Sequence, residues 1–183
     1  DTSRAGDIYC TDTGQSSNNG LTPATPKRSI QAVMPLLTAG DTVYIDAGIY
    51  YEPDTVTISC SSVAIIGKDS AATVIDFNDS TVASARAIIA RNLTRITIQN
   101  LRVTDGYVGI WLENLDTSTI SSVRSDTNVE GFDVSLGSDG NTFSDLAAYG
   151  SSGVGFYLDS SNGNIIDGCI FAGNILDGIW LVT

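Results

Sequence analysis

Gly109-Ile110-Trp111-Leu112, Gly131-Phe132-Asp133-Val134, Gly155-Phe156-Tyr157-Leu158 and Gly178-Ile179-Trp180-Leu181 are one phrase written four times, with glycines 22, 24 and 23 residues apart. A second series keeps the same step. Ile98, Ile120, Phe143 and Ile166 recur at 22, 23 and 23 residues, and Leu101, Val123, Leu146 and Cys169 follow three residues behind. A fixed period of this length marks a solenoid, whose units bury their apolar faces only by stacking on their neighbours. Each quartet alternates, so Ile110, Leu112, Phe132, Val134, Phe156, Leu158, Ile179 and Leu181 point inward. Trp111, Asp133, Tyr157 and Trp180 then form an outward column across four coils. Two residues further on, Glu113, Ser135 and Asp159 form a second outward column, with Val182 in the last coil.

Outward from this stretch, short β runs separated by Gly, Asn, Asp and Ser continue back to Asp41-Thr42-Val43-Tyr44-Ile45. No hairpin signal joins them, so each strand pairs with its copy in the next unit, in parallel, at ~4.8 Å per coil. Ahead of them, a polar stretch over residues 1–25 holds one short strand at Ile8-Tyr9-Cys10. Thr25-Pro26, followed by Ile30, Val33 and Leu37 on one face, predicts a short amphipathic helix over 26–38, disturbed near Pro35 and closed by Gly40. The expectation is therefore an all-β parallel solenoid in one domain, 1–183. Residues 1–40 form a loop and a short helix, and 41–183 the coils of about 22–24 residues.

Composition narrows the function classes. Of 183 residues, 9 are basic and 21 acidic, for a net charge of −12, and 42% are hydrophobic. So acidic a surface disfavours nucleic acid and anionic membranes. No apolar run approaches the roughly 18 residues of a membrane span. Cys10 and Cys60 are a candidate disulfide pair, against two free thiols, whereas Cys169 fills a slot that holds Leu or Val elsewhere and reads as a buried small hydrophobe. Asn78 and Asn92 each open an Asn-x-Ser/Thr glycosylation pattern. Together these features favour a secreted or cell-surface protein.

Gly20-Leu21-Thr22-Pro23-Ala24-Thr25-Pro26, Ser29-Ile30-Gln31-Ala32, Gly40-Asp41-Thr42-Val43-Tyr44-Ile45 and Gly48-Ile49-Tyr50 together resemble the N-terminal region of parallel β-helix proteins of the pectin-lyase-like superfamily. Ile96-Thr97-Ile98-Gln99-Asn100-Leu101 and the Gly-Ile-Trp-Leu runs resemble its coils. The resemblance implies a right-handed parallel β-helix whose N-terminal end is capped by the helix 26–38, with residues 1–40 as its loop and capping helix. It does not carry a function, because the superfamily hosts lyases, hydrolases, epimerases, adhesins and structural proteins. The His-containing motifs of polygalacturonases and alginate epimerases are absent, since the chain has no histidine. A mechanism similar to that of pectate lyases would need an arginine base and carboxylate-bound Ca²⁺. Arg102 and Arg124 occupy equivalent places on adjacent coils, and they repel unless an acid or an anion sits between them, with Asp105 and Asp126 nearest in sequence.

The outward columns are the candidate site. Aromatic rings beside carboxylates suit a sugar, whose C–H faces rest on the rings while its hydroxyls bond the acids. The carbohydrate-binding candidates are therefore Trp111, Glu113, Asp133, Tyr157, Asp159 and Trp180. The same column also serves plain sheet stabilisation, because aromatics stack along parallel strands without any ligand. Asp133 and Asp159, on adjacent coils and offset by two residues, allow the separation that glycosidic hydrolysis needs, against the plainer reading that so acidic a chain sets solvated acids on every exposed face. The turns Ser138-Asp139-Gly140-Asn141 and Asn162-Gly163-Asn164 offer oxygens for Ca²⁺, although their spacing fits no calcium repeat. The chain stops at Trp180-Leu181-Val182-Thr183 in the middle of a coil, an end that calls for further coils or another chain, up to head-to-tail fibre assembly. Three functions follow: a polysaccharide-recognising or structural surface module without catalysis, a polysaccharide lyase or hydrolase, and a fibre subunit.

Overall fold

The structure, a computed structural model, describes residues 6–77 and 86–182. After β1 (Asp7–Cys10) and a long loop, strands come in threes. The triplets are β2 (Thr42–Ile45), β3 (Gly48–Tyr51) and β4 (Val56–Ile58); then β5 (Ala64–Gly67), β6 (Thr73–Asp76) and β7 (Arg86–Thr94); then β8 (Thr97–Gln99), β9 (Arg102–Thr104) and β10 (Val108–Asp116). They continue as β11 (Thr119–Ser121), β12 (Arg124–Asp126) and β13 (Glu130–Ser135); β14 (Thr142–Ser144), β15 (Ala147–Tyr149) and β16 (Phe156–Asp159); β17 (Ile165–Asp167), β18 (Ile170–Ala172) and β19 (Ile179–Val182). Each strand pairs in parallel with its counterpart one triplet away, which builds three sheets: A from β1, β2, β5, β8, β11, β14 and β17, B from β3 onward, and C from β4 onward. The result is a right-handed-type parallel β-solenoid of about six turns.

The core is the stack of inward columns. Val43, Ile65, Ile98, Ile120, Phe143 and Ile166 face in from sheet A in direct register. Ile88, Ile110, Phe132 and Phe156 do so from sheet C. In the upper coils the filling turns aromatic: Phe156 lies 5.2 Å from Phe143 and 5.1 Å from Phe171, ring centroid to centroid. Such pairs add to the area they bury. The glycine that opens each of the first three quartets is required by close approach between coils, since a Cβ on Gly131 would collide with the Gly155 carbonyl oxygen, while one on Gly178 would meet the Phe171 carbonyl of its own coil. In the last coil the inward series continues without cover: Ile179 and Leu181 stand in register with Phe156 and Leu158, yet are 42% and 59% exposed.

The helix expected over 26–38 does not form. The described residues contain no α-helix, only a 3-10 turn at Met34–Leu36. Pro35 has no N–H to donate to the Gln31 carbonyl, and its ring disfavours the α conformation at Met34. The backbone bonds here are of i to i+3 type, Val33 to Ile30, Met34 to Gln31, Leu36 to Val33 and Leu37 to Met34. The apolar face survives the change, with Ile30, Val33 and Met34 buried against the core. Buried Glu52 fixes the start of the wound segment, accepting from the Ile30 N–H at 2.6 Å and the Ser29 hydroxyl at 2.8 Å.

The cysteines also depart from expectation, since Cys10, Cys60 and Cys169 are all free. Cys10 is buried at the end of β1, opposite Ile45, whereas Cys60 precedes β5, toward the other end of the same sheet's strands. No disulfide joins them. Cys169 takes its place beneath the Leu146 N–H, 3.4 Å from the sulfur, and packs against the core half-exposed. Asn92 is exposed and its Oδ1 accepts a hydrogen bond from the Asn114 amide at 2.9 Å; Asn78 lies outside the described residues.

Candidate functional site

Sheet C brings the expected outward column together. Trp111 pairs with Asp133, Asp133 with Tyr157 and Tyr157 with Trp180, each directly opposite on the next strand. Glu113 pairs with Ser135, and Asp159 with Val182. Alternation along β10, β13 and β16 dictates this, because the apolar partners on either side pack into the core, and β19 follows the register of β16.

The column divides into a closed half and an open half. The guanidinium of Arg86 sits 3.9 Å from the centre of the Trp111 ring and that of Arg91 4.7 Å from it. Arg91 also binds Glu113 at 2.7 Å, and the Trp111 indole N–H reaches the Ser135 hydroxyl at 3.4 Å. Trp111 is thus already stacked and hydrogen-bonded. Further up, Tyr157 and Trp180 meet edge to face with centroids 5.5 Å apart, and Trp180 is half exposed. Between the two halves lies Asp133, whose Oδ1 is buried without a hydrogen-bond partner.

Electrostatics follow from this geometry. Burial raises the Asp133 pKa above the ordinary aspartate value of 3.8, with the charges of Glu113 and Asp159 adding to it, while the Ser135 hydroxyl and Arg86 oppose the rise. Burial likewise raises the Glu130 pKa, reinforced by Asp133. The Tyr157 hydroxyl is pushed up by burial and then by Asp159 and Asp133. A buried carboxylate with an unmet acceptor is an unusual group to hold on an outward face.

Sheet B answers the arginine question. Arg102 and Arg124 are direct neighbours, and the buried Asp126 carboxylate lies between them, 2.9 Å from the Arg102 Nε and in contact with the Arg124 Nε through the same oxygen. Arg124 also covers the Tyr149 ring at 5.1 Å. Asp105 instead accepts from Thr104 and Thr127.

The Asp and Asn turns spend their oxygens on the backbone. Asn141 Oδ1 accepts from the Ser118 N–H, Asn164 Oδ1 from the Asn141 N–H and Asp139 Oδ1 from the Asn162 N–H. Among the described residues, no three His, Cys, Asp or Glu side chains come together as a metal cluster. Nor is any helix there long and apolar enough to cross a membrane.

The sequence reading missed Arg86, Arg91 and Glu130. Arg91 was within reach, because it stands 22 residues before Glu113, the same step that aligns the rest of the column. Arg86 and Glu130 lie at the starts of β7 and β13, where alternation had not been extended.

Residues 39–183 match the sequence profile of the family described as periplasmic copper-binding protein (NosD). No curated protein matches the chain. Among solved structures, a rhamnogalacturonan lyase superposes with a TM-score of 0.72 at 16% identity, over 97% of this chain and 56% of its own. A pectate lyase gives 0.70 at 23% identity, over 89% and 46%. The pectin methylesterase of Erwinia chrysanthemi gives 0.54 at 14% identity, over 83% and 54%. The chain spans about half the length of these structures. At such identities the likeness is one of fold.

Proposed function

The chain belongs to the NosD family of periplasmic β-helix proteins, and from that premise we propose that it is an extracytoplasmic module that binds polysaccharide on the outer face of sheet C. The observation that carries the reading is the open half of the column. The Asp133 carboxyl stands directly opposite Tyr157, whose ring meets that of the half-exposed Trp180 on the next coil, and that pairing of a carboxyl with apolar ring faces suits a sugar ring. Asp133 and Asp159 give the open half a negative character, alongside a net charge of −12, so the face selects a neutral glycan over a polyuronate. The family description supports placement in the periplasm or beyond it.

Copper, which the family description names, finds no donor set among the described residues. The chain has no histidine, its single methionine, Met34, is buried in the core, and its three cysteines are separate and free. The soft and imidazole ligands that copper selects are not gathered anywhere.

The test is retention on a panel of immobilised neutral glycans and polyuronates, with and without Ca²⁺. Retention on a neutral glycan that Tyr157→Ala and Trp180→Ala each reduce at least tenfold supports the reading. Equal retention by both variants, or retention on polyuronates alone, overturns it.

A second reading, hydrolysis of a glycosidic bond by Asp133 and Asp159, is favoured by their places on adjacent coils, where Asp133 stands opposite Tyr157 two residues before Asp159, and burial moves the Asp133 pKa in the direction a general acid needs. Product sizing after incubation with the same panel separates the two. Shortened chains that Asp133→Asn abolishes establish hydrolysis, and intact polymer with retained binding leaves recognition.

A further inference from the structure

A cavity on the other side of the solenoid has the build of a ligand site, and none of the readings above uses it. It opens on the outer face of sheet A, at the end of the sheet formed by β1, β2 and β5, and encloses about 340 Å³. That volume falls within the roughly 300–1,000 Å³ of small-molecule sites. Its floor is an outward column of the same kind as that on sheet C: Tyr9 pairs with Tyr44, and Tyr44 with Ile66. The two phenol rings stack with centroids 5.7 Å apart and planes inclined by 23°.

The opposite wall is Pro23, and the backbone holds it there. The loop carrying it is tied to β1 by the Tyr9 N–H on the Gly20 carbonyl at 2.7 Å and the Lys27 N–H on the Tyr9 carbonyl at 3.0 Å. Within the loop, Asn19 Oδ1 accepts from the Leu21 N–H and the Thr25 hydroxyl, and the Thr25 N–H closes a turn on Thr22. The cavity is therefore preformed between a stacked aromatic floor and a rigid apolar wall.

The rim is polar and electrically balanced. Lys68 Nζ meets Asp46 Oδ1 at 3.2 Å, and both side chains stay more than half exposed. The Ala47 N–H and then Lys68 hold the Asp46 carboxyl below its ordinary range, so it is ionised at neutral pH. An anionic ligand gains Lys68 but meets Asp46, and a cationic one gains Asp46 but meets Lys68. A purely apolar ligand leaves both rim groups without new partners. A ring with C–H faces for the tyrosines and proline, and hydroxyls that both donate and accept for the ammonium and carboxylate, satisfies floor, wall and rim together.

We propose that this cavity is a second ligand site, distinct from the sheet C face, that takes a single neutral hexopyranose ring between Tyr44 and Pro23 with its hydroxyls on Lys68 and Asp46. The two faces then give one chain two sugar-binding positions on different sides of the solenoid. Such bivalence raises retention on a polymer above that of either site alone.

The experiment is saturation-transfer-difference NMR on the full chain. The probes are methyl β-D-glucopyranoside, methyl β-D-galactopyranoside and methyl α-D-mannopyranoside, with D-galacturonate and phenol as anionic and aromatic comparators. The expected result is transfer to ring protons of at least one methyl glycoside. It persists in Trp180→Ala, the background in which the sheet C contribution is removed and the further variants are made, and falls there at least fivefold on adding Tyr44→Ala or Lys68→Ala. Lys68 is exposed and outside the core, so its variant keeps the test decisive even where Tyr44→Ala folds poorly. Three results overturn the proposal: no transfer to any methyl glycoside, transfer that survives Lys68→Ala in the Trp180→Ala background, or stronger transfer to galacturonate or phenol than to every neutral glycoside. Loss of transfer in Trp180→Ala assigns the signal to sheet C and overturns it as well.

Discussion

Sheets B and C carry outward columns built by the same repeat, yet one closes on itself and the other does not. On sheet B, Arg102 and Arg124 stack on adjacent coils and one oxygen of the buried Asp126 carboxylate contacts both, while its other oxygen is buried without a partner. On sheet C, Arg86 and Arg91 cover Trp111 and Arg91 pairs with Glu113, but beyond Asp133, whose unmet buried oxygen matches that of Asp126, Trp180 stands half exposed against Tyr157 with no cation over it among the described residues. A solenoid aligns whatever its period repeats. Which of the aligned groups remain available depends on the long side chains of neighbouring coils, whose reach exceeds the ~4.8 Å between strands.

The sharpest way to break the comparison is to open sheet B. Asp126→Ala leaves two guanidinium groups, a third and nearly half exposed, stacked without their buried counter-charge, and the loss, discounted for solvent screening from that of a fully buried pair, is about 2 kcal/mol. Thermal or urea unfolding should show a loss of that order. A loss under about 1 kcal/mol, the scale of an exposed pair, would mean that solvent already screens the two arginines and that sheet B is no more closed than sheet C.

Asp133→Asn probes the other column, with the opposite sign expected for stability. The folded-state pKa of Asp133 is raised, chiefly by burial, so the folded protein holds the proton more tightly than the unfolded chain does. Stability therefore falls as pH rises from the ordinary aspartate value through the raised folded one, and the penalty is fully present above the latter. Replacing the carboxylate with an amide should stabilise the protein at neutral pH by less than Asp126→Ala destabilises it. The gain should vanish below the unfolded pKa, while glycan retention drops. A residue retained only for stability would not show this exchange of stability for binding. If Asp133→Asn destabilises at pH 7, the carboxylate belongs with Asp126 as a structural charge.

Much of this was legible in the sequence because register in a solenoid is arithmetic. The 22-to-24-residue step put Trp111, Asp133, Tyr157 and Trp180 opposite one another, and the pairing of β10, β13, β16 and β19 matches it. The same arithmetic stacked Arg102 on Arg124 and named Asp126 as a neutralising acid. What it could not supply was the conformation of irregular chain. The apolar spacing of Ile30, Val33 and Leu37 suits a helix and a 3-10 winding alike, and Pro35 decided for the second. Elimination leaves Cys10 and Cys60 either bonded to each other or both free, and only the structure decides for two free thiols. The cavity beside Tyr44 was invisible for a related reason: its wall, Pro23, comes from a loop with no period at all.

The smallest effect belongs to Arg91, and it tests whether the lower half of the sheet C column is closed. Arg91 is about half exposed and Glu113 largely buried, so their bond lies between a surface pair and a buried one. Removing the arginine in Arg91→Ala should cost about 0.5 kcal/mol, the range of a partly exposed pair, with a further small loss from the cation–π contact with Trp111. Glycan retention should not change, because the ring it uncovers still carries Arg86 at 3.9 Å. Fluorescence offers a direct readout, since Trp111 and Trp180 are the two tryptophans of the chain. In a Trp180→Ala background, acrylamide quenching of Trp111 should rise only slightly on adding Arg91→Ala and markedly on adding Arg86→Ala as well. A large rise with Arg91→Ala alone, together with stronger glycan retention, would make Arg91 the cover over a latent sugar platform and move the boundary between the two halves of the column down by one coil.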